Sequence, residues 1–229
     1  MKITKYAQST VMVEDKGTSI LVDPGKYNYD EGKVSRDYFK NIDVMLITHK
    51  HADHYDLAAV KQIYETSKPK IHTVREIHDT LKTEGIESFV FPVGSVVQEG
   101  PFSITATPTR HEVKGELIDC YGALIKSNGQ SFYHASDTLY LQEKPTGCDV
   151  LMVPINNRGV AMGVDDALRF SKEVNPKLVV PIHYDSPKDS HINPQDFADR
   201  AVSQGLKSKI LSFGDVLDVS EYSHAPRNI

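Results

Sequence analysis

The chain has 229 residues, 39% of them hydrophobic, which is enough for a sizeable layered core that folds unaided. Its formal charge of -5 and pI near 6.0, with Lys and Arg scattered along the chain, leave no basic stripe to track a phosphodiester backbone, so no nucleic-acid partner is expected. Two cysteines, Cys120 and Cys148, stand in no metal or redox spacing and read as buried apolar fillers, and no apolar leader or membrane-spanning run is visible, so the expectation is a soluble cytoplasmic protein without a membrane partner.

Taken in chain order, period-2 alternation and short apolar runs bounded by turn residues predict strands over 2–6, 10–14, 18–22, 44–47, 70–73, 102–107, 121–126, 131–134, 150–154, 178–182, 209–212 and 216–219. The Asn128-Gly129 pair joins two of them as a hairpin. Helical patterns cover 55–66, 74–83, 166–174 and 194–203, the last with Asn193 as N-cap, Pro194 at its first position and Gly205 past its end. Hairpins interspersed with helices suggest sheets packed face to face with helices outside. Asp43-Val44-Met45-Leu46-Ile47 is echoed by Asp149-Val150-Leu151-Met152-Val153, and Lys68-Pro69-Lys70-Ile71 by Asn175-Pro176-Lys177-Leu178. These echoes point either to a duplicated half or to the common look of buried strands.

The segment His49-Lys50-His51-Ala52-Asp53-His54 carries three imidazoles and a carboxylate directly after an apolar run. Neutral imidazole and carboxylate oxygen are the donors that divalent metals such as zinc take, and two adjacent ions need about twice the ligands of one. Further candidates stand just beyond other strands: His111 after 102–110, Asp137 after 131–135 and His183 after 177–182. Loops at one sheet edge can converge. Geometry divides the set: His49 and His51, two apart in extended chain, join His111 in one site; Asp53, His54 and His183 make a second; Asp137 bridges them. Two divalent ions against two aspartates leave a positive pocket, which favours an anionic small-molecule substrate.

These residues carry a resemblance. The hexapeptide, the lone His111, Tyr133-His134-Ala135-Ser136-Asp137-Thr138 and Pro181-Ile182-His183-Tyr184 look like the metallo-β-lactamase superfamily of metal-dependent hydrolases. Ile20-Leu21-Val22-Asp23-Pro24 and Pro154-Ile155-Asn156-Asn157-Arg158 resemble most the ascorbate-6-phosphate lactonase-like branch. The resemblance implies an α/β fold, an αββα sandwich of two mixed sheets flanked by helices, as one domain over 1–229 with a dinuclear site at one edge. It departs at Ala7-Gln8, where the branch commonly has Gly-His, and at Ser136, where glycine is usual.

The expected cofactor is two divalent ions, zinc, manganese or iron suiting these donors almost equally. A metal-activated hydroxide would attack an ester- or lactone-type bond, with Asp53 also holding the water and passing on its proton. Ligating imidazoles need an acceptor for their other ring N–H; Asp23 is the candidate, with Thr48 and Thr138 as helpers. Arg158 reads equally as an anion-binding fork or a solvated loop charge, and His191 is a candidate for substrate contact or proton donation. His134 reads as a hydrogen-bonded core histidine; His72, His78 and His224 carry no chemistry. The tyrosine-rich insert 26–39 could wall the site or only pack on the surface. A phosphodiesterase or nuclease of the same fold, or a non-catalytic metal-binding module, are the rival readings. Oligomeric state is open.

Overall fold

The computed structural model describes residues 1–156, 158–185 and 192–223. Alternation of apolar and polar residues sets up an opening meander, β1 (Lys2–Lys5), β2 (Val11–Asp15) and β3 (Thr18–Val22), paired antiparallel. The next strands run parallel and are covered on both faces: β4 (Val44–Ile47) is apolar and buried throughout, and β5 (Lys70–Thr73) is buried from Ile71 to Thr73. Short β6 (Phe89–Val90) follows. Between them run α1 (Leu57–Ser67) and α2 (Arg75–Thr83). The sequence pattern starts the first helix at Tyr55, but Asp56 caps it, its Oδ1 accepting from the backbone N–H of Ala58 at 2.9 Å and Ala59 at 3.2 Å.

The second half contains β7 (Val96–Glu99), β8 (Phe102–Thr107), a small hairpin β9 (Glu112–Val113) and β10 (Glu116–Leu117), then β11 (Gly122–Ser127), β12 (Gln130–His134) and β13 (Val150–Pro154). After these come α3 (Val164–Val174), β14 (Leu178–Ile182), α4 (Pro194–Ser203) and β15 (Val216–Asp218). One sheet has the order β15-β1-β2-β3-β4-β5-β6, the other β14-β13-β12-β11-β8-β7. Their inner faces share one core, in which Val13, Met45 and Ile71 join Ile104, Ile125, Phe132 and Met152. Tyr133, Leu151, Val153 and Val179 face the other way and pack with Leu168 and Phe170 of α3 and Phe197 of α4. The layers are therefore helix, sheet, sheet, helix, as the sequence implied.

The echoes are structural. Strands β3, β4 and β5 are parallel neighbours, as are β12, β13 and β14. In each half an aspartate latches a serine of the preceding strand: Ser19 N–H and Ser131 N–H donate to Asp43 and Asp149 carboxylates at 2.8 and 2.7 Å. The same repeated helix ends fall at Lys68 and Asn175, both left-handed at φ 49° and 54°.

Residues 209–212 form no strand; Ser208 makes a single bridge to Val179, and Ser212 N–H turns to the Asp215 carboxylate at 2.8 Å. Strands β6, β9 and β10, at two residues each, are too short to show a period, and exposed edge strand β7 has too few buried positions. Among the described residues no helix is long and apolar enough to cross a membrane.

Candidate metal centre

Chain ends of several strands meet at one edge of the sandwich. His49, His51, Asp53 and His54 follow β4, His111 follows β8, Asp137 follows β12 and His183 follows β14. They form two donor groups, His49, His51, His111 with Asp137 and Asp53, His54, His183 with Asp137, each with ligand atoms within 4.8 Å of one another. The division matches the one read from spacing, and Asp137 belongs to both.

In the first group His49 Nε2 lies 3.1 Å from His51 Nδ1, which lies 3.0 Å from His111 Nε2. Tetrahedral nitrogens at about 2.0–2.1 Å from zinc stand roughly 3.4 Å apart, so a small closure outward accommodates an ion. In the second, Asp53 Oδ2 is 2.9 Å and Asp137 Oδ2 3.2 Å from His183 Nε2, and Asp137 Oδ1 is 3.3 Å from His54 Nε2. His54 Nε2 and Asp137 Oδ1 are buried without a hydrogen-bond partner. A buried polar atom left unsatisfied costs about 1–3 kcal/mol, and two of them facing each other at 3.3 Å fit a cation that both would ligate.

The outer ring nitrogens are fixed by what surrounds them. His54 Nδ1 donates to Asp23 Oδ2 at 2.7 Å, and His111 Nδ1 to the carbonyl of Val160 at 2.8 Å. Thr48 is a hub: its Oγ1 stands 3.1 Å from His49 Nδ1, receives the Ser136 hydroxyl at 2.7 Å and donates to Asp23 Oδ2 at 2.8 Å. Asp23 also accepts Thr48 N–H at 2.8 Å, so one carboxylate orients a ring in each donor group. Thr138 does otherwise than expected. Its hydroxyl donates to the carbonyl of Leu139 and accepts Arg110 N–H at 2.9 Å, steadying the loop of His111 and touching no ligand ring. Asn156, which nothing in the sequence singled out for this, places its amide 3.3 Å from His183 Nδ1.

Ser136 sits at φ 56°, a left-handed backbone that glycine adopts freely. Ser136→Gly should leave thermal stability nearly unchanged, the relieved strain offsetting a more flexible unfolded chain, while metal affinity falls about tenfold because the Thr48 hub loses a partner. Chelator competition beside a thermal melt reads both.

Burial disfavours charge on every member of the cluster, yet the two groups differ. For His49, His51 and His111 burial dominates and holds protonation below the ordinary imidazole range, helped in His49 by the nearby His54 and in His51 by His111. Burial acts against charge on His183 too, but Asp137 and then Asp53 outweigh it and push the ring up to about 10. Asp137, Asp23 and Asp53 raise His54 in the same way. A cation entering this group displaces those protons, so its apparent affinity should strengthen as pH rises towards about 10, by about tenfold per unit for each proton released. Competition with a chelator between pH 6 and 9 measures the slope; a flat profile contradicts it.

The cavity over the centre measures about 220 Å³ and is lined by Gln8, Tyr27, His51, Asp53, Arg158 and His183 among others. Arg158 and Tyr27 thus reach the site, whereas Tyr29 and Phe39 of the insert pack inward, where Phe39 meets Tyr6 edge to face at 4.9 Å. His191 and His224 lie outside the described residues. His134 is a core histidine bonded to the carbonyl of Ser9 at 2.8 Å; His72 meets Glu99 at 3.0 Å and His78 meets Ser88 at 3.0 Å. Both cysteines are buried, their thiols pushed up to about 12 by burial; Cys120 is more than filler, its Sγ 3.6 Å from His49 Nδ1.

Residues 2–183 match the family model described as "Beta-lactamase superfamily domain". The chain is 28% identical over 228 residues to a UPF0173 metal-dependent hydrolase of Carboxydothermus hydrogenoformans, covering 95% of this chain and 99% of that one. It is 31% identical to a UPF0173 protein of Pyrococcus furiosus over 86% of this chain and 89% of the other. In structure it is similar to Igni18, a metallo hydrolase from Ignicoccus hospitalis, with a TM-score of 0.75, 24% identity and coverage of 94% and 97%.

Proposed function

Because the chain belongs to the β-lactamase superfamily and is a metal-dependent hydrolase of the metallo-β-lactamase fold, we propose that it hydrolyses small anionic ester- or lactone-type substrates at a dinuclear centre within one domain. The observation that carries this is the pair of donor groups sharing Asp137, with His54 Nε2 and Asp137 Oδ1 buried 3.3 Å apart and without a hydrogen-bond partner. His49, His51 and His111 would hold one ion, Asp53, His54 and His183 the other, and Asp137 both. Bound there, two zinc, manganese or iron ions would set four positive charges against two carboxylates and bring the pKa of a water from 15.7 towards about 7.

The chain's own residues divide the remaining work. Asp137 is buried, whereas the Asp53 side chain keeps 20% of its surface open, so Asp53 is the carboxylate placed to hold a water at the cavity and take its proton. Arg158 supplies a guanidinium to the same cavity, suited to a phosphate or carboxylate on the substrate. Tyr27 contributes to the wall. A volume of about 220 Å³ suits a small molecule, and the net charge of -5 gives little attraction for a polymer of phosphodiesters. The lactonase-like branch fits this reading.

The test joins elemental analysis of protein purified without added metal to a screen of lactones, phosphorylated sugars and phosphodiesters. Two divalent ions per chain and faster turnover of anionic than of neutral small substrates are expected. Substoichiometric metal with no recovery on adding it, or equal rates on neutral analogues, would overturn the dinuclear and the anionic parts respectively; preferred cleavage of phosphodiesters would replace the substrate class.

A further inference from the structure

One unsatisfied atom at this cavity is not accounted for by a pair of cations. Gln8 lines it, is fully buried, and its Oε1 has no hydrogen-bond partner. Which end of the carboxamide faces which way is fixed by chemistry. Asp185 Oδ1 takes the Gln8 backbone N–H at 2.8 Å and the side-chain Nε2 at 3.1 Å, while Asp185 Oδ2 takes the ammonium of Lys5 at 2.9 Å. An ionised carboxylate only accepts, so the amide nitrogen must turn to Asp185 and the oxygen must turn away from it.

The setting is rigid. Lys5 is itself buried and also donates to the carbonyl of Tyr6 at 2.7 Å. Gln8 stands at φ 53° in a turn closed by Tyr6 N–H to the carbonyl of Thr10 at 2.8 Å and Thr10 N–H to that of Ala7 at 2.9 Å. Ala7 N–H donates to Asn28 Oδ1 at 3.0 Å. Asp185 lies two residues after His183, so the tether of Gln8 and a candidate ligand share one short loop. The left-handed backbone of Gln8, the buried Lys5 and the unpaired Gln8 Oε1 are three costs concentrated around one residue of the site.

We propose that Gln8 is a specificity-determining residue: its fixed carboxamide oxygen accepts a hydrogen bond from a hydroxyl or N–H carried by the substrate near its reacting group. The site then selects hydroxylated acyl or lactone substrates over those lacking the donor. This rests on the cavity being the substrate site of the hydrolase proposed above. Sites built to bond a substrate hydroxyl reject analogues without it, because their own polar group is then left buried and unpaired.

Calorimetric titration of the zinc-loaded protein with three pairs tests this: butyrate against 2-hydroxybutyrate, butyrate against 3-hydroxybutyrate, and γ-butyrolactone against its α-hydroxy derivative. Wild type should bind at least one hydroxylated member of the pairs about tenfold more tightly, and Gln8→Met, of similar length but without the acceptor, should bring every pair within about twofold. No preference in wild type overturns the proposal, and this arm needs no variant. A preference that survives in Gln8→Met, or in Gln8→Leu if the first variant does not fold, overturns it too, since direct chelation by the hydroxyl would then explain it. Equal affinity for charged and neutral members speaks against the anionic-substrate reading alone, because it leaves the hydroxyl comparison intact.

Discussion

Asp137→Ala should abolish measurable turnover and strip the protein of bound metal. Asp137 Oδ1 and Oδ2 lie 3.3 and 3.2 Å from His54 and His183, and the residue belongs to both donor groups. Its side chain is almost wholly buried; burial would raise its pKa, but His183 and then His54 outweigh that and hold it well below the ordinary carboxylate range. That direction favours the charged form, which a bridging ligand requires. Changes to groups that merely orient a ligand cost about 10- to 100-fold in affinity or activity, so removing a shared ligand should lower kcat/KM by at least about a thousandfold. Loss of one partner from a buried charged cluster should also cost about 3–5 kcal/mol in the metal-free protein. Asp137→Asn separates the two effects, since it keeps the shape and gives up the charge. Mass-spectrometric metal analysis beside thermal melts in chelator checks both; two ions retained with full turnover in Asp137→Ala would remove the bridge from the reading.

How much of this was legible in the sequence follows from how local each signal is. His49 to His54 announce themselves within six residues because their chemistry is contiguous. His111, Asp137 and His183 were found by a weaker rule, that loops after strands converge at a sheet edge, and the two layers bring them there. Asp23 and Thr48 stand at strand ends beside the hexapeptide, within hydrogen-bond distance of the His54 and His49 rings. Thr138 shows where such reasoning fails, because position after a strand does not say which neighbour a hydroxyl will find. Asn156, the Val160 carbonyl and the tether of Gln8 to Asp185 were invisible, since they join segments 27, 49 and 177 residues apart through one or two hydrogen bonds without a pattern. The hub through Ser136 had only one hint, an unusual residue type where glycine was expected.

Gly25→Ala is the substitution whose effect should most exceed its size. Gly25 has an ordinary negative φ, -76°, so its lack of a side chain has nothing to do with backbone freedom. A Cβ built there would lie 1.8 Å from the carbonyl oxygen of Asp53, 2.1 Å from its carbon and 2.7 Å from the nitrogen of His54. All three are backbone, and none can swing aside like the end of a flexible chain. The loop after β3 is laced to the hexapeptide on either side of this contact: Asp23 N–H donates to the carbonyl of Leu46 at 2.9 Å and Lys26 N–H to that of Ala52 at 2.7 Å. Relief needs the two loops to part by more than about 1 Å, and misplacement by that distance alone can cost about a hundredfold in rate. Asp53 and His54 would leave their places against Asp137 and His183, while His54 would also part from Asp23. The expected result is loss of the second donor group, with activity below about 1% of wild type and overpacking strain of roughly 1–3 kcal/mol or more. Gly163→Ala is the control, because its nearest neighbour, the carbonyl of Asn156, lies at 3.8 Å, and replacing an N-cap glycine costs only about 1 kcal/mol. Metal stoichiometry near one per chain in Gly25→Ala, with His49, His51 and His111 still occupied in a cobalt spectrum, would locate the damage in the half of the centre that this glycine touches; two ions and normal turnover would show that the loops yield without it.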